Sequence, residues 1–166
     1  MTISRRSLLL AGSALVTTGL VFGLRPDSTS IAAEGDFEVS LSADEWRERL
    51  TEQEFYILRE HGTERPYTSP LNEEYRAGTF TCAGCQQALF ASETKYDSRT
   101  GWPSFYDYLP GAIGTSVDNT LGMTRTEVHC SRCGGHQGHV FEDGPEPTGL
   151  RYCINGIALD FEPQAA

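Results

Sequence analysis

Five cysteines punctuate this 166-residue chain: "CAGC" at 82–85, "CSRC" at 130–133, and one alone in "GLRYCINGIAL" at 149–159. Each Cys-x2-Cys pair follows a strand-like run, where a tight knuckle can aim two sulfurs at one point. Cys82, Cys85, Cys130 and Cys133 together make the closed, four-thiolate set of a structural zinc ion, with no position open for catalysis. Two other readings compete. Exported cysteines tend to oxidise, and four of them allow three disulfide pairings. Alternatively, Cys130 and Cys133 with His136 and His139 form a two-cysteine, two-histidine site, which strands Cys82 and Cys85.

The lone cysteine needs a different account. In an extended segment side chains alternate faces, so Leu150, Tyr152 and Ile154 share an apolar side while Arg151, Cys153 and Asn155 share the other. A structural cysteine behaves as a small hydrophobe and belongs with the leucine and isoleucine. Cys153 instead keeps company with a guanidinium and an amide. Arg151, about 7 Å along the same face, favours the nucleophilic thiolate over a thiol whose unperturbed pKa is about 8.5. The bland alternative is an inert cysteine on an edge strand. His136 and His139, set among glycines in "GGHQGHVF", are candidates to serve the thiolate or to be structural; His129, wedged before Cys130, is read as structural. Trp102 and Phe105, in the proline-fixed "GWPSF", are read as the wall of an apolar pocket or as core cover.

The elements that must position these groups are short. "SADE" and "TEQE" are capping boxes opening two helices, with Ser42 three residues before Glu45 and Thr51 three before Glu54. The second helix ends at "HGTERP", where Gly62 suits the left-handed cap and Pro66 blocks continuation. His61 is read as a last-turn residue meeting the helix dipole. From residue 78 onward, strand-like runs ("GTFT", "QALFA", "GMTRTEVH", "GHVFE", "LRYCIN", "GIALDF") alternate with glycine and proline. Residues 92–120 show little regular pattern and read as a functional loop. The chain is mainly β behind a small helical start.

The net charge of −10 excludes nucleic acid as a partner, which demands a basic surface. Residues 1–33 carry Arg5, Arg6, Arg25 and Asp27, a net +2, leaving −12 on the remainder. Their "SRRSLLL", apolar run and "SIAA" resemble a twin-arginine export signal, with an uncleaved anchor as the alternative. Residues 34–40 read as a linker and 41–166 as the domain.

Together "GTERP", "CAGC…LF…KYDS…GWPSF", "CSRCGGHQGHVFEDGP" and "TGLRYCIN" resemble the B-type methionine sulfoxide reductases over residues 41–161. The resemblance implies two twisted antiparallel sheets arranged as a tent, zinc on Cys82, Cys85, Cys130 and Cys133, and Cys153 as nucleophile. It implies active-site roles for His136, His139, Asn155 and Arg151, a substrate contact at Trp102, and reduction of methionine-R-sulfoxide, free or in proteins. Many such enzymes carry a resolving cysteine directly before "GWPSF"; Thr100 stands there in this chain. A Cys153 sulfenic acid would therefore need an external thiol reductant, thioredoxin-like or small. Gly156, where serine is common, is a lesser departure.

Overall fold

The computed structural model describes residues 36–165. The expected export segment and the first residues of the expected linker lie outside them. In the linker's described part, the Phe37 ring meets His129 edge-on at 5.7 Å and the Val39 N–H donates to the Arg132 carbonyl at 2.9 Å.

Both capping boxes form. Ser42 and Thr51 accept from the Glu45 and Glu54 N–H groups at 3.3 and 3.2 Å, and those carboxylates accept in return at 2.8 and 2.7 Å. Each cap contributes about 1 kcal/mol to a helix too short to hold itself. They open α1 (Ala43–Arg49) and α2 (Glu52–Glu60), which bury Trp46 and then Phe55, Ile57 and Leu58. The left-handed residue ending α2 is His61 (φ 55°), not Gly62; the Gly62 N–H closes the cap on the Tyr56 carbonyl at 2.9 Å. The change turns the His61 ring inward, onto the six-stranded sheet.

Among the described residues nine strands follow: β1 (Gly78–Cys82), β2 (Ala88–Ala91), β3 (Lys95–Tyr96), β4 (Ser104–Phe105), β5 (Ile113–Asp118), β6 (Arg125–Cys130), β7 (His136–Phe141), β8 (Arg151–Ile154) and β9 (Leu159–Pro163). They form two antiparallel sheets, ordered β2-β1-β9 and β3-β4-β8-β7-β6-β5. The mainly β expectation with two antiparallel sheets holds. Aromatic rings join them: Phe90 of the small sheet stacks on Phe105 of the large one at 4.3 Å, and Phe80 meets Phe105 edge-on at 5.0 Å.

Two expectations change here. The stretch 92–120 is not a bare loop, since it supplies β3, β4 and β5. Phe105, expected at the substrate, is fully buried between the sheets. The pleat explains it: Phe105 pairs with Tyr152 on the core face of β8, while its neighbour Ser104 pairs with Cys153 on the opposite face.

Candidate active site

The large sheet lays one polar row across five strands. Register partners run Ser116–Glu127–His139–Cys153–Ser104 from β5 through β6, β7 and β8 to β4. Directly paired residues point to the same face, so the alternation that frees Cys153 from the core also brings His139 beside it. Close approach of β7 to β8 depends on Gly138: a Cβ there would meet the Cys153 carbonyl oxygen at 2.1 Å.

A pocket of about 130 Å³ opens on this row, lined by Thr63, Trp102, Arg125, Gly138, His139, Phe141, Cys153 and Asn155. Cys153 is half-buried, and Thr100 Oγ1 stands 3.9 Å from its sulfur. Burial pushes the thiol up, and the Thr100 hydroxyl and the Arg151 guanidinium pull it back only in part. Arg151 acts in the direction expected from the sequence, towards the thiolate, but burial outweighs it and the thiol is favoured at rest. The chief reason is burial; Asp143, whose carboxylate binds Arg151 through two bonds of 2.8 Å, adds a smaller push in the same direction. The Arg151 guanidinium also lies 4.4 Å over the Phe141 ring.

The two histidines part company. His139 faces the pocket, and its Nε2 lies 2.7 Å from Asp118 Oδ2. Burial opposes ionisation of Asp118, yet bonds from Thr120 and His139 and the nearby Arg125 hold its carboxyl well below the usual range. Asp118 is therefore an acceptor, and Nε2 carries the proton, leaving Nδ1 to titrate. Burial lowers the pKa of His139 despite Asp118, so the ring rests neutral at neutral pH. His136 is fully buried and does not line the pocket. Its Nδ1 donates to Glu127 at 2.7 Å, its ring meets His139 edge-on at 5.4 Å, and His61 stacks on it at 4.8 Å. Glu127 also accepts from Ser116. Burial would raise its carboxyl, but His136 and Ser116 hold it down at about 2.

Glu64 fastens three walls at once. Its carbonyl accepts from the Trp102 indole N–H at 3.2 Å, and its own N–H donates to Asn155 Oδ1 at 3.0 Å. Its carboxylate takes the Gly156 and Ile157 N–H groups at 2.6 and 3.0 Å. Burial raises the pKa of this carboxyl, and the two N–H groups offset part of the rise. A Cβ on residue 156 would meet Ser69 Oγ at 1.9 Å, which accounts for glycine there. Asn155 is further held by the Gln137 carbonyl, which accepts from its Nδ2 at 3.0 Å. Sequence reasoning named Trp102, His139, Arg151, Cys153 and Asn155 in this neighbourhood. It missed Thr63, Glu64, Asp118, Arg125, Glu127, Phe141 and Asp143.

The paired cysteines converge elsewhere. Their four sulfurs lie within 4.8 Å of one another, all buried; Cys82 to Cys133 spans 3.8 Å and Cys85 to Cys130 spans 3.5 Å. None of them lines the pocket. The cluster can hold a metal ion.

The family model described as the SelR domain matches residues 50–163. The chain belongs to this family, that of the B-type methionine sulfoxide reductases. A protein of Agrobacterium fabrum named peptide methionine sulfoxide reductase MsrB is 54% identical over 127 residues, covering 76% of this chain and 94% of the relative. Proteins of the same name from Leifsonia xyli and Methanosarcina mazei are each 50% identical. They cover 80% and 75% of this chain and 97% and 89% of their own lengths. The SelR match takes in both knuckles, the Trp102 loop and Cys153.

Proposed function

We propose that this chain reduces methionine-R-sulfoxide to methionine, with Cys153 as nucleophile, His139 as acid and an external thiol closing the cycle. The observation that carries the reading is one pocket in which a half-buried thiol, a carboxylate-held imidazole, an indole edge and an amide converge. Trp102, locked through its indole N–H, bounds the slot for the substrate methyl. Cys153 sulfur gives an electron pair to the electrophilic sulfoxide sulfur, and the oxygen, gaining charge, takes a proton from the His139 imidazolium. Oxygen ends on Cys153 as a sulfenic acid while methionine leaves as the thioether; one sulfur is oxidised by two electrons and the other reduced by two. Asn155 holds substrate or water opposite the imidazole. His136, gripped by Glu127, acts behind His139 rather than on the substrate.

Thiol and neutral imidazole share one proton count with thiolate and imidazolium, so the reactive ion pair is a minor tautomer of the resting pair. Its population is constant between the lowered pKa of His139 and the raised pKa of Cys153, and falls outside that window.

With the other four cysteines in the buried cluster and Thr100 beside Cys153, the sulfenic acid is met by an incoming thiol. A first thiol forms a mixed disulfide and releases water; a second restores Cys153. Zinc is part of the proposal: a tetrahedral ion with bonds of about 2.3 Å sets sulfurs about 3.8 Å apart, close to the spans at the cluster. When bound, zinc supplies a rigid cross-link between the knuckle after β1 and the knuckle after β6, and no chemistry at the pocket. An exported location, supported by the "SRRSLLL" leader, completes the reading.

Incubation with R- and S-sulfoxide substrates and dithiothreitol, with methionine quantified, tests it. Turnover of the R epimer alone, abolished by Cys153→Ser, is expected. Equal turnover of both epimers, or activity surviving that substitution, overturns it.

A further inference from the structure

Arg59, in the last turn of α2, is 3% exposed. Its guanidinium sits 3.7 Å over the Trp46 ring, and Nη1 donates to the Cys133 carbonyl at 2.9 Å. Nε and Nη2 are buried with no hydrogen-bond partner among the described residues, and no carboxylate there pairs with this cation. A buried charge without a counter-charge costs several kcal/mol, so an anion is required. The position of Nη2 says where. A Cβ added to Gly84, inside the first knuckle, would come 3.6 Å from Nη2; one on Gly135, just past the second, would come 3.3 Å from Nη2 and 3.3 Å from Cys133 Sγ. The guanidinium therefore lies against both knuckles.

Four protonated thiols offer that cation nothing. Four thiolates on a divalent ion carry a net charge of about −2, which a monocation at the cluster's edge offsets in part. Gln137, fully buried, adds a second donor: its Nε2 approaches Cys82 Sγ at 3.4 Å. Outer partners of this kind orient ligands and tune how tightly a site keeps its ion.

We propose that Arg59 is the counter-charge of a metal–tetrathiolate centre formed by Cys82, Cys85, Cys130 and Cys133, and that it slows loss of the ion. This rests on the zinc reading above. Arg59→Met keeps an apolar stem on Trp46 and removes the charge; Arg59→Lys keeps the charge and loses the planar fork. Zinc release from the purified full chain to a chromophoric chelator (pyridylazo-resorcinol) should be at least tenfold faster for Arg59→Met, with Arg59→Lys between it and wild type. Wild-type rates for Arg59→Met, in protein holding one zinc per chain, overturn this role alone. Wild-type protein without zinc overturns the zinc reading and this role with it. Should Arg59→Met fail to fold, wild-type protein decides. Exchange of zinc for cadmium should shift the Arg59 guanidinium N–H resonance more than those of surface arginines, and an unmoved resonance rejects the assignment.

Discussion

Both sulfur sites have arginines beside them, and the two that are most buried, Arg59 and Arg151, are treated in opposite ways. Arg132, at the rim of the cluster on the Cys85 carbonyl, is shared with Glu38. At the four-cysteine cluster, Arg59 is buried, stacked on Trp46 and held by one carbonyl, with no carboxylate among the described residues to share it. At the pocket, Arg151 is gripped through two bonds by Asp143, which is largely exposed. An unshared buried cation suits sulfurs that a bound metal ion would keep as thiolates. At Cys153 burial raises the thiol pKa, and a cation already shared with Asp143 lowers it only in part. A ligand must stay a thiolate, whereas a nucleophile exposed to oxidants is safer as a thiol until substrate arrives.

The largest break in this comparison comes from the cluster. Cys130→Ser removes one of four ligands and leaves a hydroxyl among buried sulfurs; the metal should be lost and stability should fall by more than about 3 kcal/mol, roughly 10 °C in Tm or more. Cys153→Ser should abolish turnover with Tm within about 2 °C of wild type. Metal analysis and thermal melting on the two variants separate the sites. A Cys130→Ser protein that keeps its metal and its melting point would erase the distinction.

Next is the proton. His139→Asn should slow the first turnover by about 10²-fold, the usual worth of a positioned acid. It should also change the shape of the pH profile. Wild type should show a plateau, falling in acid as His139 is protonated beside a thiol and falling in alkali as Cys153 ionises beside a neutral ring. Without the imidazole the rate should simply rise with pH as the thiolate fraction grows. Rapid-quench measurement of single turnovers against pH distinguishes the two shapes; a plateau retained in His139→Asn would remove that residue from the acid's role.

How much of this was legible beforehand follows from which physical signal each residue carries. The alternation in "LRYCIN" separated Cys153 from Tyr152 and Ile154, because a period of two is visible over a few residues. Both helices were legible from Ser42 and Thr51 because capping is local. β5 was missed because its pattern is inverted: Gly114, Ser116 and Asp118 turn inward toward the site while Val117 is 69% exposed. A strand that serves a polar site buries its polar side and sends no amphipathic signal. With β5 went Asp118, the partner of His139. Glu64 and Glu127 act through bonds to residues 155–157, 102, 116 and 136, far along the chain, which no local spacing announces. Phe105 was misplaced for the converse reason: two-residue β4 is too short to show which of its side chains faces the core.

A smaller effect on rate, but a change of cycle, is expected at Thr100. Its Oγ1 lies 3.9 Å from Cys153 sulfur, within reach of a disulfide after a modest shift of either side chain. Thr100→Cys should leave the first turnover within about threefold and then close an internal bond. Mass spectrometry after one turnover without reductant should then show a loss of about 2 Da relative to the reduced variant. Wild type should show the sulfenic acid or its adducts. If wild type itself loses that mass, a cluster cysteine has left its ligand set, and the separation of the two sulfur sites fails.

The finest test tunes the second arginine. Asp143 acts to raise the Cys153 pKa and Arg151 to lower it. Asp143→Asn frees the guanidinium, so the thiol pKa should fall and the thiolate fraction at neutral pH should rise. Arg151→Met removes the cation, so the pKa should rise and the fraction should drop. A shift of about one unit either way is a tenfold change in thiolate, or about 1.4 kcal/mol. Partial exposure and salt should cut this to about threefold. Alkylation of Cys153 by iodoacetamide against pH reads both midpoints while the cluster thiols stay protected. Opposite displacements of the two midpoints would show the nucleophile poised between a cation and its carboxylate. If neither moves, burial alone sets the Cys153 pKa, and the contrast between a shared and an unshared arginine carries no weight at the pocket.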